Sequence, residues 1–263
     1  MAPGLGYWGP PSSTIDWCEE NYRVTHFIAE FWNTISNVSM IIPPFIGAFL
    51  LVKDKLEFRL VASHLSLMCV GLGSWCFHMT LLYSMQLLDE LPMIWGSAVL
   101  IYNLATVEYP AKSHNLLLSA GLFTYCAIVT LVYIMCNIPI FFQIAYGLMV
   151  CSLVATAWKV SRSIAWANKT VLVCAVVAYG TGFILWNIDN QFCSSLKSMR
   201  YHTGFLSPLF EFHAWWHILA GIGTYMGIIF GADARCSVLG YKTKIKLWKH
   251  CFPYLVVSQP LPQ

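Results

Sequence analysis

Charge is what this chain has least of: Asp, Glu, Lys and Arg make up 10% of its 263 residues, while 58% are hydrophobic. A soluble domain carries about a quarter charged residues, so this polar complement is too small to cover a water-exposed globule. The opening residues 1–15 lack both a basic start and an apolar run, so no cleavable leader is expected and the first apolar stretch would direct insertion itself. Internal repeats, low-complexity segments and composition shifts are missing too. These absences exclude intrinsic disorder, a coiled coil, a secreted disulfide scaffold and a basic nucleic-acid binder.

What is present is a pattern of charge-free windows: 31–52, 60–88, 91–107, 113–158, 170–188 and 212–232. A helix crossing the hydrocarbon core needs roughly 20 apolar residues. Five windows therefore hold one span each, and 113–158 holds two, broken near Asn137-Ile138-Pro139. The expected fold is an all-α integral membrane protein, a seven-transmembrane helix bundle over 31–233. A segment 1–30 precedes it and a basic tail 234–263 follows.

An odd span count puts the termini on opposite sides. Arg23, Lys197 and Arg200 then share the N-terminal side, and the other twelve Lys and Arg residues share the opposite one. The positive-inside bias predicts a cytosolic C-terminus and a luminal or external N-terminus. Acidic residues run the other way: Asp16, Glu19, Glu20, Glu30, Asp89, Glu90, Asp189 and Glu211 all fall on the N-terminal side. Lys242, Lys244, Lys246 and Lys249 read either as a stop-transfer anchor or as a contact for anionic lipid. Cys18 and Cys193 are the clear luminal pair, and a disulfide between them is expected.

An ionisable side chain at membrane depth is a candidate functional group by default. His213 and His217 stand four apart, hence on one helical face. Ser74 and His78 repeat the offset near the end of the second span. That span runs toward the lumen and the seventh runs away from it, so the three histidines reach one level, where Asp89 opens the third span. Three neutral imidazoles with an open fourth position suit a catalytic zinc. Each residue also has an ordinary reading, as a hydrogen-bonded core histidine, an interfacial aromatic neighbour or a hydroxyl bonding its own helix. His26, His64, His114, His202 and His250 are poorer ligand candidates.

At these positions the sequence resembles the alkaline ceramidases, membrane amidases, and within them the phytoceramidase type. The resemblance rests on Ile15-Asp16-Trp17-Cys18-Glu19-Glu20-Asn21-Tyr22, Ala29-Glu30-Phe31-Trp32-Asn33-Thr34, Gly73-Ser74-Trp75-Cys76-Phe77-His78-Met79-Thr80, Gln86-Leu87-Leu88-Asp89-Glu90-Leu91-Pro92-Met93, Trp186-Asn187-Ile188-Asp189-Asn190 and Phe212-His213-Ala214-Trp215-Trp216-His217-Ile218-Leu219. Residues about 100–180 match only in hydrophobic character, and the tail after Lys249 departs from the type.

The resemblance implies zinc (Zn2+) on His78, His213 and His217, with Asp89 acting on the attacking water and Ser74 beside the scissile carbonyl. It implies a regulatory calcium (Ca2+) on Asp16, the Trp17 carbonyl, Glu19, Asn21 and Glu30. Read alone, that segment is an acidic cap without the loop spacing of an EF-hand. The implied substrates are ceramides, including phytoceramide and dihydroceramide with long unsaturated acyl chains, reached from the bilayer and cleaved under calcium stimulation. Membrane lipids are the expected partners, with no nucleic acid and no inferable protein partner, and the implied location is the endoplasmic reticulum and Golgi. The alternative is a seven-helix zinc-containing receptor of the progestin and adipokine receptor type.

Overall fold

In the computed structural model residues 6–248 and 252–258 are described, without the Trp248 side chain. Lys249, His250 and residues 259–263, included in the expected tail, lie outside them. The helices are α1 Phe31–Ser36, α2 Val38–Lys53, α3 Phe58–Thr80, α4 Tyr83–Ala105, α5 Leu116–Cys136, α6 Pro139–Ser163, α7 Lys169–Gln191, α8 Cys193–Thr203 and α9 Phe212–Val238. A 3-10 turn, Gly204–Phe210, joins the last two helices, and strands β1 Lys242–Trp248 and β2 Phe252–Ser258 follow.

Local chemistry explains the boundaries. Asn115 caps α5 by accepting the Leu118 N–H at 3.0 Å. Asn137 ends the helix in the left-handed region at φ 53°, and Pro139 opens α6 at a position where no amide is needed. The expected break near Asn137-Ile138-Pro139 is therefore where the chain turns. Along α6 the outward residues Ile140, Ile144, Leu148 and Trp158 are large, apolar and exposed, an inverted pattern that suits hydrocarbon rather than water.

Among the described residues, six stretches are long and apolar enough to cross a membrane: 31–53, 58–80, 116–136, 139–163, 169–191 and 193–238. The seventh expected span, at 91–107, is not among them. Its window belongs to α4, a 23-residue helix that starts eight residues earlier and contains Gln86, Asp89, Glu90 and Pro92. A charge-free window marks sequence that hydrocarbon tolerates, whereas this helix buries its charges. Asp89 accordingly sits in the second turn of α4 and not at a helix start. The expected loop 189–211 is also mostly helical, being the end of α7, all of α8 and the 3-10 turn.

The chain divides into two compact units, and α2, α3, α4, α7 and α9 contribute residues to both. One unit comprises Met1–Ile42, Met68–Pro92 and Val177–Gly223. Its apolar centre is Ala29, Phe77 and Leu81, packed with Trp17, Tyr22 and Met85. Gly73 of α3 lies against the Leu88 carbonyl of α4, where any Cβ would collide with main chain. Only glycine permits that approach, which brings Ser74 beside Asp89.

The other unit comprises Pro43–Leu67, Met93–Val176 and Thr224–Gln263. One cluster in it joins Leu104, Val160, Leu172 and Phe230, and another joins Leu51, Leu60, Ala232 and Leu255. Arg235, almost fully buried, donates to Glu57 through Nε and Nη2, both at 2.7 Å, and to the Val107 carbonyl at 2.8 Å. The basic tail is an antiparallel hairpin pairing Lys242 with Ser258 and Lys246 with Tyr254. Its lysines 242, 244 and 246 face solvent, and Ile245 and Leu255 pack into the clusters. Period-2 alternation over 242–246 carries that signal in the sequence, though charge counting reads it only as a basic run.

Candidate metal centre

The centre lies wholly within the first unit. His213 and His217 come from successive turns of α9, and His78 comes from the last turn of α3. All three are buried, and one nitrogen from each lies within 4.8 Å of the other two. Among the described residues this is the one group of three or more His, Cys, Asp or Glu side chains that closes to such spacing.

Hydrogen bonds fix the tautomers of two rings. Nδ1 of His78 lies 2.5 Å from Glu30 Oε2. Nδ1 of His217 lies 3.0 Å from the Asn33 carbonyl and 2.8 Å from Ser36 Oγ. A carbonyl only accepts, so the His217 proton is on Nδ1 and its Nε2 keeps a free lone pair. The Glu30 carboxylate assigns His78 in the same way, and His78 Nε2 is buried without a partner. His213 Nδ1 is likewise buried and unpartnered. An imidazole oriented by an oxygen on its far nitrogen is the usual support for a metal ligand. Three converging imidazoles, two of them with a buried and unpartnered nitrogen, fit a zinc ion.

Ser74 and Asp89 meet each other but stand outside this group. The Ser74 hydroxyl is next to the Asp89 carboxylate without a closed hydrogen bond. Both side chains are buried, Ser74 one turn before His78 on α3 and Asp89 on α4. The sequence-level grouping therefore resolves into a nitrogen cluster and an adjoining hydroxyl and carboxylate.

The N-terminal segment is fastened to the helices around the centre. Cys18 and Cys193 form the expected disulfide. Arg200, buried on α8, donates to the Cys18 carbonyl at 3.2 Å and pairs with Glu211. Trp17 stacks on the His213 ring. The five calcium candidates divide by depth. Glu19 and Glu30 are buried, whereas Asp16 is exposed and takes a 3.3 Å bond from Asn21 Nδ2. Glu19 accepts the Trp32 and Asn33 amides at 2.7 and 2.8 Å, and Glu30 Oε1 accepts the Trp17 amide at 3.3 Å. Burial, with Glu30 nearby, pushes the Glu19 carboxyl up to about 9. Asn21 Oδ1 is buried without a partner. An all-oxygen set with two buried carboxylates and an orphaned amide oxygen fits calcium. Glu20, weighed as a stand-in, turns away to Arg23 at 2.7 Å. His64 is an ordinary core histidine, with Nδ1 on the Leu60 carbonyl at 2.9 Å.

Asn33 and Ser36 are the site residues that sequence reasoning missed. They lie in a window defined by the absence of ionised groups, where uncharged polar residues carry no weight. The available signal was the density of Asn33, Thr34, Ser36, Asn37 and Ser39 in an otherwise apolar stretch.

A buried three-histidine group that could hold a metal ion, in a chain with six stretches apolar enough to cross a membrane, defines a multi-pass membrane protein with a candidate metal centre. The ceramidase family model matches residues 9–256, and the chain belongs to the ceramidase family. It is 47% identical over 250 residues to alkaline ceramidase 3 of Mus musculus, covering 94% of each chain. It is 33% identical to the alkaline ceramidase YPC1 of Saccharomyces cerevisiae, over 95% of this chain and 86% of that protein. With the alkaline ceramidase of Arabidopsis thaliana it shares 29% identity across the full length of both.

Proposed function

We propose that this protein is a zinc-dependent alkaline ceramidase that cleaves the amide of ceramides from within the membrane, releasing a sphingoid base and a fatty acid. The carrying observation is the three-histidine group, with His78 and His217 already held in the tautomer a metal requires. Bound there, zinc would supply Lewis-acid polarisation of the amide carbonyl and water activation near neutral pH.

Asp89 accepts the proton of the attacking water as its oxygen bonds to the carbonyl carbon. Ser74 Oγ donates to the carbonyl oxygen as negative charge gathers on it. The C–N bond then breaks, and the proton held by Asp89 passes to the departing nitrogen. The proximity of Ser74 and Asp89 supports this division of labour. Asp16, the Trp17 carbonyl, Glu19, Asn21 and Glu30 would hold a stimulating calcium, and Glu30, which also holds His78, would link that site to the centre.

Two long alkyl chains suit a site among apolar helices entered from lipid. Phytoceramide and dihydroceramide with long unsaturated acyl chains are the expected substrates, in the endoplasmic reticulum and Golgi. Helix α4 is the seventh span. At 23 residues it is about 34 Å long, enough to cross, and its charges are turned inward. Charge asymmetry supports a luminal N-terminus and a cytosolic C-terminus.

The test is product analysis on purified protein with ceramides of varied acyl length, with zinc content measured alongside. Sphingoid base should appear in wild type and be lost in His213→Ala. No release from any ceramide by zinc-loaded protein would sink the reading.

A further inference from the structure

The first membrane-crossing stretch is interrupted at Asn37, between α1 and α2. In an unbroken helix the residue-37 amide would bond the Asn33 carbonyl. Here it turns to Thr34 and Ile35 instead. The freed Asn33 carbonyl accepts three other donors: Ser36 Oγ at 2.8 Å, Asn37 Nδ2 at 2.9 Å and His217 Nδ1 at 3.0 Å. Ser36 gives its own proton to that carbonyl, so its oxygen is free to accept from His217 Nδ1.

The side chain of Asn33 reaches a second ring. Its Nδ2 donates at 3.1 Å to Glu30 Oε2, the oxygen that holds His78 Nδ1. A carboxylate only accepts, so the amide nitrogen must face it. The Asn33 main-chain N–H is anchored in turn on Glu19 Oε2 at 2.8 Å. One fully buried residue thus touches the supports of two of the three histidines, with its own main chain tied down.

We propose that Asn33 is the positioning residue of the metal centre, aiming the His217 ring through its carbonyl and the His78 ring through its side-chain hold on Glu30. The inference rests on the three-histidine group being a metal site. Without the Asn33 amide, Glu30 Oε2 keeps His78 as its partner but loses its second donor, and only the longer Trp17 amide contact on Oε1 still restrains the carboxylate. Supports of this kind change metal affinity by roughly 10–100-fold when removed.

The test uses the full-length protein loaded with Co2+ in place of zinc, reading the ligand-field spectrum, the rate of cobalt loss to a chelator and the Tm of the metal-free form. Asn33→Ala and Asn33→Asp should both alter the spectrum and lose cobalt about 10–100-fold faster. Asp should be at least as severe as Ala, because a second carboxylate repels Glu30. A packing role predicts the reverse order, since Asp fills the volume of Asn. Ser36→Ala removes only the hydroxyl contacts and should give a smaller acceleration, which keeps the inference testable if the Asn33 variants do not fold. Wild-type spectrum and kinetics in Asn33→Ala, Asp milder than Ala, or, where those variants do not fold, wild-type kinetics in Ser36→Ala would each overturn it. A wild type that holds no cobalt overturns the metal reading instead.

Discussion

Trp17 lies face to face with His213, ring centroids 4.0 Å apart and planes 27° from parallel. The stack ties the segment carrying Cys18 and Glu19 to the first turn of α9. Trp17→Ala should release metal several-fold faster and lower kcat/KM, while Trp17→Phe, which can still stack, should stay near wild type. Chelator-challenge kinetics beside a ceramide assay check this, and equal loss in both variants would count against the stack.

Glu30 should be among the costliest single substitutions in the centre. Glu30→Gln keeps an oxygen for Asn33 or His78 but removes the charge that favours the Nδ1–H tautomer. Zinc affinity should fall roughly 10–100-fold, read by competition with a metallochromic indicator. Unchanged affinity would detach Glu30 from the metal.

Calcium and protons should compete at the N-terminal segment. Glu19 has its carboxyl raised from 4.5 to about 9. A raised carboxyl favours the folded state while protonated, fully below about 4.5, and that contribution is lost as pH climbs through about 9. Chelator-treated protein should therefore lose stability as pH rises across this window, and added calcium should restore it. Calorimetry in two buffers of different ionisation enthalpy should show proton release on calcium binding at pH 7.5, fading above 9. Binding without proton release would contradict Glu19 as a calcium ligand.

Glu57 responds with the opposite sign. Its hydrogen bonds to Arg235 hold the carboxyl below the ordinary 4.5. The stability it provides is present above that value and is lost as pH falls through the lowered one. Glu57→Gln leaves the Arg235 charge buried with only carbonyl partners and should cost about 3 kcal/mol, measured as a fall in Tm. The substitution should also flatten the acid limb of the wild-type stability profile.

Much of the architecture was legible because hydrocarbon imposes a simple rule on the sequence: no ions for about 20 residues. Charge-free windows locate α2, α3, α5, α6, α7 and α9, and the turn at Asn137-Ile138-Pro139. The rule fails for α4, whose Asp89 and Glu90 are buried inside protein, and for the tail, where a two-residue alternation builds strands. The nitrogen cluster was legible because His213 and His217 share a helical face and charge parity brought His78 to their level. Its supports were not, because a main-chain carbonyl has no letter in the sequence. Only the interruption at Asn37 shows that the Asn33 carbonyl is available to a histidine.

The two pinned imidazole protons have a kinetic consequence. His78 and His217 each keep their Nδ1 proton on an oxygen of the protein, so their inward lone pairs exist before any ion arrives. Capture would require neither ring nor tautomer to rearrange at either residue. Loading should then be governed by how fast an ion reaches the centre, and a molecule folded without metal should remain competent to receive one.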